Sequence, residues 1–535
     1  MFPSNNKNLV SVRQAVLDLL RGLGITRIFG NPGSTELPLF LNFPPDFRYV
    51  LGLQEAVVVG MADGYAQATR NASFVNLHSA AGVGHAMGNI FTAFKNRTPM
   101  IITAGQQARS ILPFDPFLHS AQAIELPKPY VKWSVEPARS EDVPLAIARA
   151  YYIAMLPPRG PVLVSIPADD WAVMTEPVLP RAVSTELRAQ PDLLAQVGQA
   201  LDAAHRPAFV IGAAVDRDGA WHEAVALAER HQARVFVAPM SGRCGFPEDH
   251  PLFAGFLPAM RERIVQRLAG HDFILAVGAA AFTYHVEGFG PHLPEGATLC
   301  QLTEDPQTAA WAPIGTSVVG SIRLTLLDLL ARPAQPSRRA PERERAVPRA
   351  EPPAPGERLT VAYLLQTLAE LRTRDSIVVE EAPSARPVMH QHLPILEPGS
   401  FYTMCSGGLG HSLPAAVGVA MAPTNAGKRV IALIGDGSAM YSIQALWSAA
   451  QLQLPITFVI LKNRRYAALQ EFAPTFGFKP GATPEGCDLP DLDFVALAAG
   501  HGMRGVRVQH VEELHRVLQQ ALQSAGPVLV EVDVV

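Results

Sequence analysis

Asp436 and Asn463 are the residues of this chain best suited, by type and setting, to hold a cation against a phosphate. The stretch Arg429–Tyr466 reads RVIALIGDGSAMYSIQALWSAAQLQLPITFVILKNRRY. Arg429–Ile434 is β-branched and apolar, the pattern of a buried parallel strand. Gly435-Asp436-Gly437 breaks it. A helix is expected next, with Ile443, Leu446, Trp447, Ala450 and Leu454 on one buried face. Pro455 ends it, and Ile456–Leu461 is a second buried strand. A crossover of this kind sets its two strands parallel in one sheet. Asp436 and Asn463 then lie just past strand carboxyl ends, on the edge where open α/β sheets take ligands. A carboxylate, an amide oxygen and backbone carbonyls are hard donors that suit Mg²⁺ bonded to a phosphorylated ligand. Gly437 lets the backbone approach that phosphate, and Ser438 opens a helix whose N-terminus favours anions. A tight turn with a capping aspartate would account for GDG alone, but not for the asparagine after a second apolar strand.

Three polar residues of the first third share that placement. Ser34, Glu55 and His78 each follow an expected strand: Thr26–Phe29, Tyr49–Leu53 and Ser73–Leu77. Glu55 is the most informative, because the helix it opens, Glu55–Thr69, is apolar all round and must be buried. A helix N-terminus favours a carboxylate, yet a lone buried one costs several kcal/mol unless paired or protonated. His78 stands at a strand end before the small-residue loop Ser79-Ala80-Ala81-Gly82, with the next helix at His85–Asn96. A satisfied structural histidine would look the same. Ser34, in Asn31-Pro32-Gly33-Ser34, also fits a turn or a helix cap. His285 follows the strand Phe273–Gly278 by a short loop. Gly407-Gly408-Leu409-Gly410 follows Phe401–Met404 and would admit a flat ligand or simply need positive φ. Phe117, Leu118, Ala468 and Phe472 are apolar loop residues that suit either a pocket for an aromatic group or the core.

These residues need a large scaffold. The chain has 535 residues, too many for one core. It is expected to form three α/β domains, each a parallel sheet flanked by helices, at 1–185, 186–331 and 359–535. Residues 332–358, rich in Pro, Arg, Glu and Ala, read as an exposed linker. The middle segment has glycines after strands but no GxGxxG, so a dinucleotide there is poorly supported. Net charge is −4, which implies no nucleic-acid partner. Cys244, Cys300, Cys405 and Cys487 are scattered, without CxxC, and read as reduced thiols. No apolar run approaches ~20 residues and no secretory leader pattern is seen, so a cytoplasmic enzyme without a membrane span is expected.

Taken together, GNPGSTELP, LQEA, NLHSAAG, TAGQQAR, FTYH, GGLG, GDGS and the downstream asparagine resemble the thiamin-diphosphate-dependent 2-keto-acid decarboxylase and acetolactate-synthase family, and within it the benzoylformate decarboxylases. The likeness runs over nearly the whole chain. It implies pyrimidine-binding, middle and diphosphate-binding domains. Glu55 takes the place of the glutamate that hydrogen-bonds the aminopyrimidine ring and activates the cofactor. The Gly407 carbonyl would receive the exocyclic amine, and Leu409 would prop the cofactor in its bent form. Asp436, Asn463 and the backbone oxygen of Arg465 would hold Mg²⁺. Gly437, Ser438 and Tyr466 would contact the diphosphate, and Ser384 the cofactor. Ser34 would bind the substrate carboxylate, and His78 and His285 would move protons.

The resemblance further implies a homo-oligomer, at least a dimer and usually a tetramer, with each site shared between subunits. Three departures stand out: Arg464-Arg465 where Gly-Thr is common, Pro383 where Thr precedes the serine, and His411 where Phe is common. The expected reaction is non-oxidative decarboxylation of a 2-keto acid, benzoylformate to benzaldehyde and CO₂. An acetolactate-synthase-like carboligase is one alternative. An inactive cofactor-binding paralogue is the other, and the presence of Glu55 argues against it.

Overall fold

The computed structural model describes residues 9–333, 338–343 and 347–535. It contains three six-stranded parallel sheets. The first has the order Arg48–Leu51, Arg27–Gly30, Ser73–Leu77, Met100–Gln106, Pro161–Pro167, Ser134–Val135. The third has the order Phe401–Thr403, Ile377–Glu381, Val430–Gly435, Ile456–Lys462, Val528–Asp533, Arg504–Val508. Numbered within each sheet, both run 2-1-3-4-6-5. The middle sheet, built from strands between Pro207 and Val319, runs 3-2-1-4-5-6. Among the described residues no helix is long and apolar enough to cross a membrane.

Strand alternation explains how the sheets are covered. In the first sheet Ile28, Phe74, Ile101 and Val162 face a core of their own. Phe29, Val75, Ile102 and Leu163 face a second core, which also takes Val379, Ala432, Phe458 and Ile460 from the third sheet. That shared core is filled by α1 (Glu55–Thr69), α2 (Ser79–Asn96) and α3 (Ser412–Met421). Burial on every side explains why α1 and α3 carry no polar face. The two helices cross at small residues: a Cβ on Gly64 would lie 2.1 Å from the Ala415 carbonyl oxygen, and one on Gly418 1.9 Å from that of Met61.

Several expected elements differ in extent. α2 starts at Ser79, not His85, so the small-residue stretch after His78 is helix. The unit after GDG is two pieces, Asp436–Met440 and Ala445–Leu452, separated by a turn at Tyr441–Gln444. Ile443, Leu446 and Ala450 are buried as expected, whereas Trp447 and Leu454 are half-buried. Arg338, in the stretch expected to be an exposed linker, is tied down. Its guanidinium donates to the carbonyls of Leu201, Asp202 and Ala204 and lies 2.8 Å from His231 Nδ1. Residues 334–337 and 344–346 of that stretch lie outside the described residues.

Candidate active site

Two groups of functional residues gather at the carboxyl edges of the first and third sheets. In the first sheet, Ser34 and His78 follow strands that pair directly with each other, at the point where the strand order reverses. Such switch points open a crevice. Ser34 is exposed and starts a single 3-10 turn, Ser34–Glu36. Glu55 starts α1 behind a side-chain cap, the Gln54 Oε1 accepting from Ala56 and Val57 N–H at 2.6 and 3.2 Å. Glu55 is 8% exposed. Its Oε2 lies 3.1 Å from His85 Nδ1 and its Oε1 3.5 Å from Asn31 Nδ2.

His78 ends its strand, and the next residue, Ser79, has φ +44°. A non-glycine residue there costs about 1–3 kcal/mol, and such strain collects at functional sites. The His78 Nδ1 is 2.9 Å from Glu36 Oε2 and 3.1 Å from Thr35 Oγ1. Neither Glu36 nor His85 was expected from the sequence. The TEL run after Ser34 reads as an ordinary helix start. No spacing rule connects Glu36 to His78 or His85 to Glu55.

The third sheet positions the residues expected to face a phosphate. Asp436 is buried at the end of Val430–Gly435. Its Oδ1 accepts from Gly437 N–H at 2.8 Å and its Oδ2 from Arg464 N–H at 2.6 Å. Burial pushes its carboxyl above the usual range. Asn463 follows the neighbouring strand, and its Oδ1 accepts from Arg465 N–H at 3.1 Å. Arg464 has φ +64°, which explains why glycine suits this position; its guanidinium reaches Asp533 at 3.3 Å. Arg465 is exposed. Tyr466 lies so close to Gly437 that a Cβ there would stand 2.3 Å from its ring. Ser438 is buried within the helix that Asp436 opens, and Ser384 is half-buried after the strand Ile377–Glu381.

The GGLG loop is held from below by the buried Glu381. Its carboxylate accepts from Gly410, His411 and Ser412 N–H at 2.5, 2.9 and 2.6 Å. Burial still raises its pKa against those three donors. Gly407 takes φ +74°, and Leu409 is half-buried. The His285 ring lies 4.7 Å from that of Phe472, so a histidine from the middle sheet stands against the loop that follows Asn463. Ala468 and Phe472 lie on the same short helix, Ala467–Phe472.

The donor set fits a hard divalent cation. One carboxylate, one amide oxygen and one loop carbonyl leave coordination positions for a diphosphate and water, as Mg²⁺ prefers. Among the described residues no three His, Cys, Asp or Glu side chains meet as a metal cluster.

Among the described residues no hydrogen bond or ring contact joins Ser34, Glu55 or His78 to the residues around Asp436. Phe117, expected to suit a pocket or the core, is 96% exposed in the single chain, while Leu118 is half-buried.

Comparison with known proteins accords with this geometry. Residues 10–125, 194–329 and 384–532 match the N-terminal TPP binding, central and C-terminal TPP binding domains of thiamine pyrophosphate enzymes. The chain is 46% identical over 529 residues to benzoylformate decarboxylase of Pseudomonas aeruginosa, covering 98% of each. A thiamine diphosphate-dependent 4-hydroxybenzoylformate decarboxylase of Rhodococcus jostii RHA1 superposes with TM-score 0.93 at 42% identity, covering 98% of this chain and 99% of that one. Benzoylformate decarboxylase of Polynucleobacter necessarius superposes with TM-score 0.94 at 40% identity, covering 98% of each. The chain belongs to the thiamin-diphosphate-dependent 2-keto-acid decarboxylase family and is a carboxy-lyase of the benzoylformate decarboxylase kind.

Proposed function

We propose that this enzyme converts benzoylformate to benzaldehyde and CO₂, with Mg²⁺ held by Asp436, Asn463 and the Arg465 carbonyl. The observation that carries the reading is the placement of two histidines. His78 stands on the sheet edge that bears Glu55, and His285 stands 4.7 Å from Phe472, an aromatic wall beside the phosphate side. The net reaction, 2-keto acid anion plus a proton giving aldehyde and CO₂, needs a proton delivered to the former keto carbon. Positioned histidines suit that task and contribute roughly 10²–10⁴ in rate.

Thiamin diphosphate, when bound, supplies the carbon nucleophile and the electron sink for the departing CO₂. The chain does the rest. Gly437, Ser438 and Tyr466 bind the diphosphate; Ser384, the Gly407 carbonyl and Leu409 hold the rings; Glu55 holds a proton at the pyrimidine. Ser34 takes the substrate carboxylate. Phe117, Leu118, Ala468 and Phe472 enclose its ring.

The site forms between two copies of the chain, in at least a dimer and in the tetramer usual for such enzymes. The exposure of Phe117 and of Phe114 near it supports this. The domains divide at 185/186, 331/332 and 358/359. Four free cysteines fit a cytoplasmic setting.

The test is CO₂ release from aromatic and aliphatic 2-keto acids, with and without thiamin diphosphate and Mg²⁺. Benzoylformate should turn over fastest, and only with both additions. Faster turnover of pyruvate would overturn the substrate assignment.

A further inference from the structure

Glu36 is a carboxylate that the proposed mechanism does not use. It is 1% exposed, on the 3-10 turn that also carries Ser34. Three donors converge on it. Gly33 N–H donates to its Oε2 at 2.9 Å, the Thr35 hydroxyl to its Oε1 at 2.5 Å, and His78 Nδ1 lies 2.9 Å from Oε2. A carboxylate only accepts, so the nitrogen facing it carries the proton. The other titratable side chain beside Glu36 is Tyr49. Burial, reinforced by the Glu36 charge, pushes its phenol well up, so it stays neutral.

The backbone around the pair leaves room for nothing else. A Cβ on Gly33 would lie 2.1 Å from His78 Nδ1, and one on Gly105 would lie 1.9 Å from Glu36 Oε1. Gly33 lies in a loop and Gly105 in the strand Met100–Gln106, each a glycine where the imidazole or the carboxylate must pass. With Ser79 strained at the next backbone position, the His78 ring is fixed from three sides.

We propose that Glu36 is the positioning residue for His78: it holds the imidazole by Nδ1–H and leaves Nε2 as the nitrogen that gives and takes the catalytic proton. Each turnover consumes one proton. His78 loses it from Nε2 to the former keto carbon and regains it from solvent, while Nδ1–H stays on Glu36. The carboxylate stabilises the doubly protonated ring before that transfer and prevents its rotation. This role rests on the decarboxylase reading, but the link between Glu36 and His78 can be measured without it.

The experiment compares wild type, Glu36→Gln and Glu36→Asp by ¹⁵N NMR of histidine-labelled protein without cofactor, with His78→Asn identifying the His78 signals. Wild type should show a protonated Nδ1 and a neutral Nε2. Glu36→Gln should give mixed tautomers at His78. In the holoenzyme, Glu36→Gln should lower kcat by about 10-fold or more, within the 10²–10⁴ that acid–base catalysis contributes. KM and cofactor affinity should change less than about 3-fold, and Glu36→Asp should recover part of the rate. Should Glu36→Gln not fold, Glu36→Asp carries both readouts. Unchanged His78 tautomer and kcat in the variants would overturn the proposal. Wild type that turns over no 2-keto acid would overturn the functional reading, while the NMR comparison would still decide the positioning role.

Discussion

Glu55 and Asp436 are both buried carboxylates at the carboxyl edge of a sheet, yet their surroundings differ. Asp436 has a backbone N–H on each oxygen, from Gly437 and Arg464. Glu55 has a histidine and an amide at longer range, 3.1 and 3.5 Å, and the proposed function has it hold a proton at the pyrimidine. Glu55→Gln should therefore lower kcat by about 10²-fold or more while thiamin diphosphate still binds. Steady-state kinetics with a cofactor-binding titration check this; near-normal turnover would remove the role. Asp436→Ala should instead weaken Mg²⁺-dependent cofactor binding by more than about 10-fold, since even outer-shell partners of a metal are worth 10–100-fold. Calorimetric titration with and without Mg²⁺ measures it. At this scale the sequence was legible where a residue interrupts a strong local pattern, as Glu55 interrupts an apolar helix. Glu36 interrupts nothing, and its partner lies 42 residues away.

Elements carry the second kind of evidence. α1 and α3 meet with almost no gap, and Asn89 of α2 donates both to the Ala56 carbonyl in the first turn of α1 and to the Gly410 carbonyl of the GGLG loop, at 2.6 and 3.2 Å. Gly418→Ala should destabilise the protein by about 1–3 kcal/mol, read from denaturant midpoints, because the added carbon meets backbone. A buried pair, Asp63 of α1 with His411 before α3, completes the contact. Burial pulls the His411 imidazole down, but Asp63 more than reverses this, so it titrates above its ordinary 6.5. Burial would raise Asp63, yet His411 holds it below 3.8. The His411 contribution is complete below pH 6.5 and is lost as pH rises through its raised pKa. That of Asp63 is complete above pH 3.8 and is lost as pH falls through its lowered one. The pair thus stabilises most between those limits. His411→Ala should cost about 3–5 kcal/mol near pH 6, because it strands a buried charge. Asp63→Asn with His411→Phe should cost less and flatten the loss at higher pH. Helix α1 has the expected bounds, Glu55–Thr69, because the apolar run that marks it ends at Arg70. The start of α2 was not legible, because Ala and Gly after His78 look like a loop until packing makes them helical.

For the whole molecule, two sheets of the same strand order bury one shared core. The βα alternation made the three sheets legible in advance. Their meeting was not, because no periodicity records which faces pack together. If the site is shared between copies, Glu55→Gln and Asp436→Ala fail in different halves. Unfolded together and refolded, the two inactive variants should regain a substantial part of wild-type turnover, because each mixed dimer contains one intact site. No recovery would place both residues in the same chain's site. The most direct test of the account is the product balance with benzoylformate as sole keto acid and an aldehyde acceptor present. One benzaldehyde released per CO₂ is the result predicted by proton delivery from His78 and His285; CO₂ released with the aldehyde carbon retained in a coupled product would contradict it.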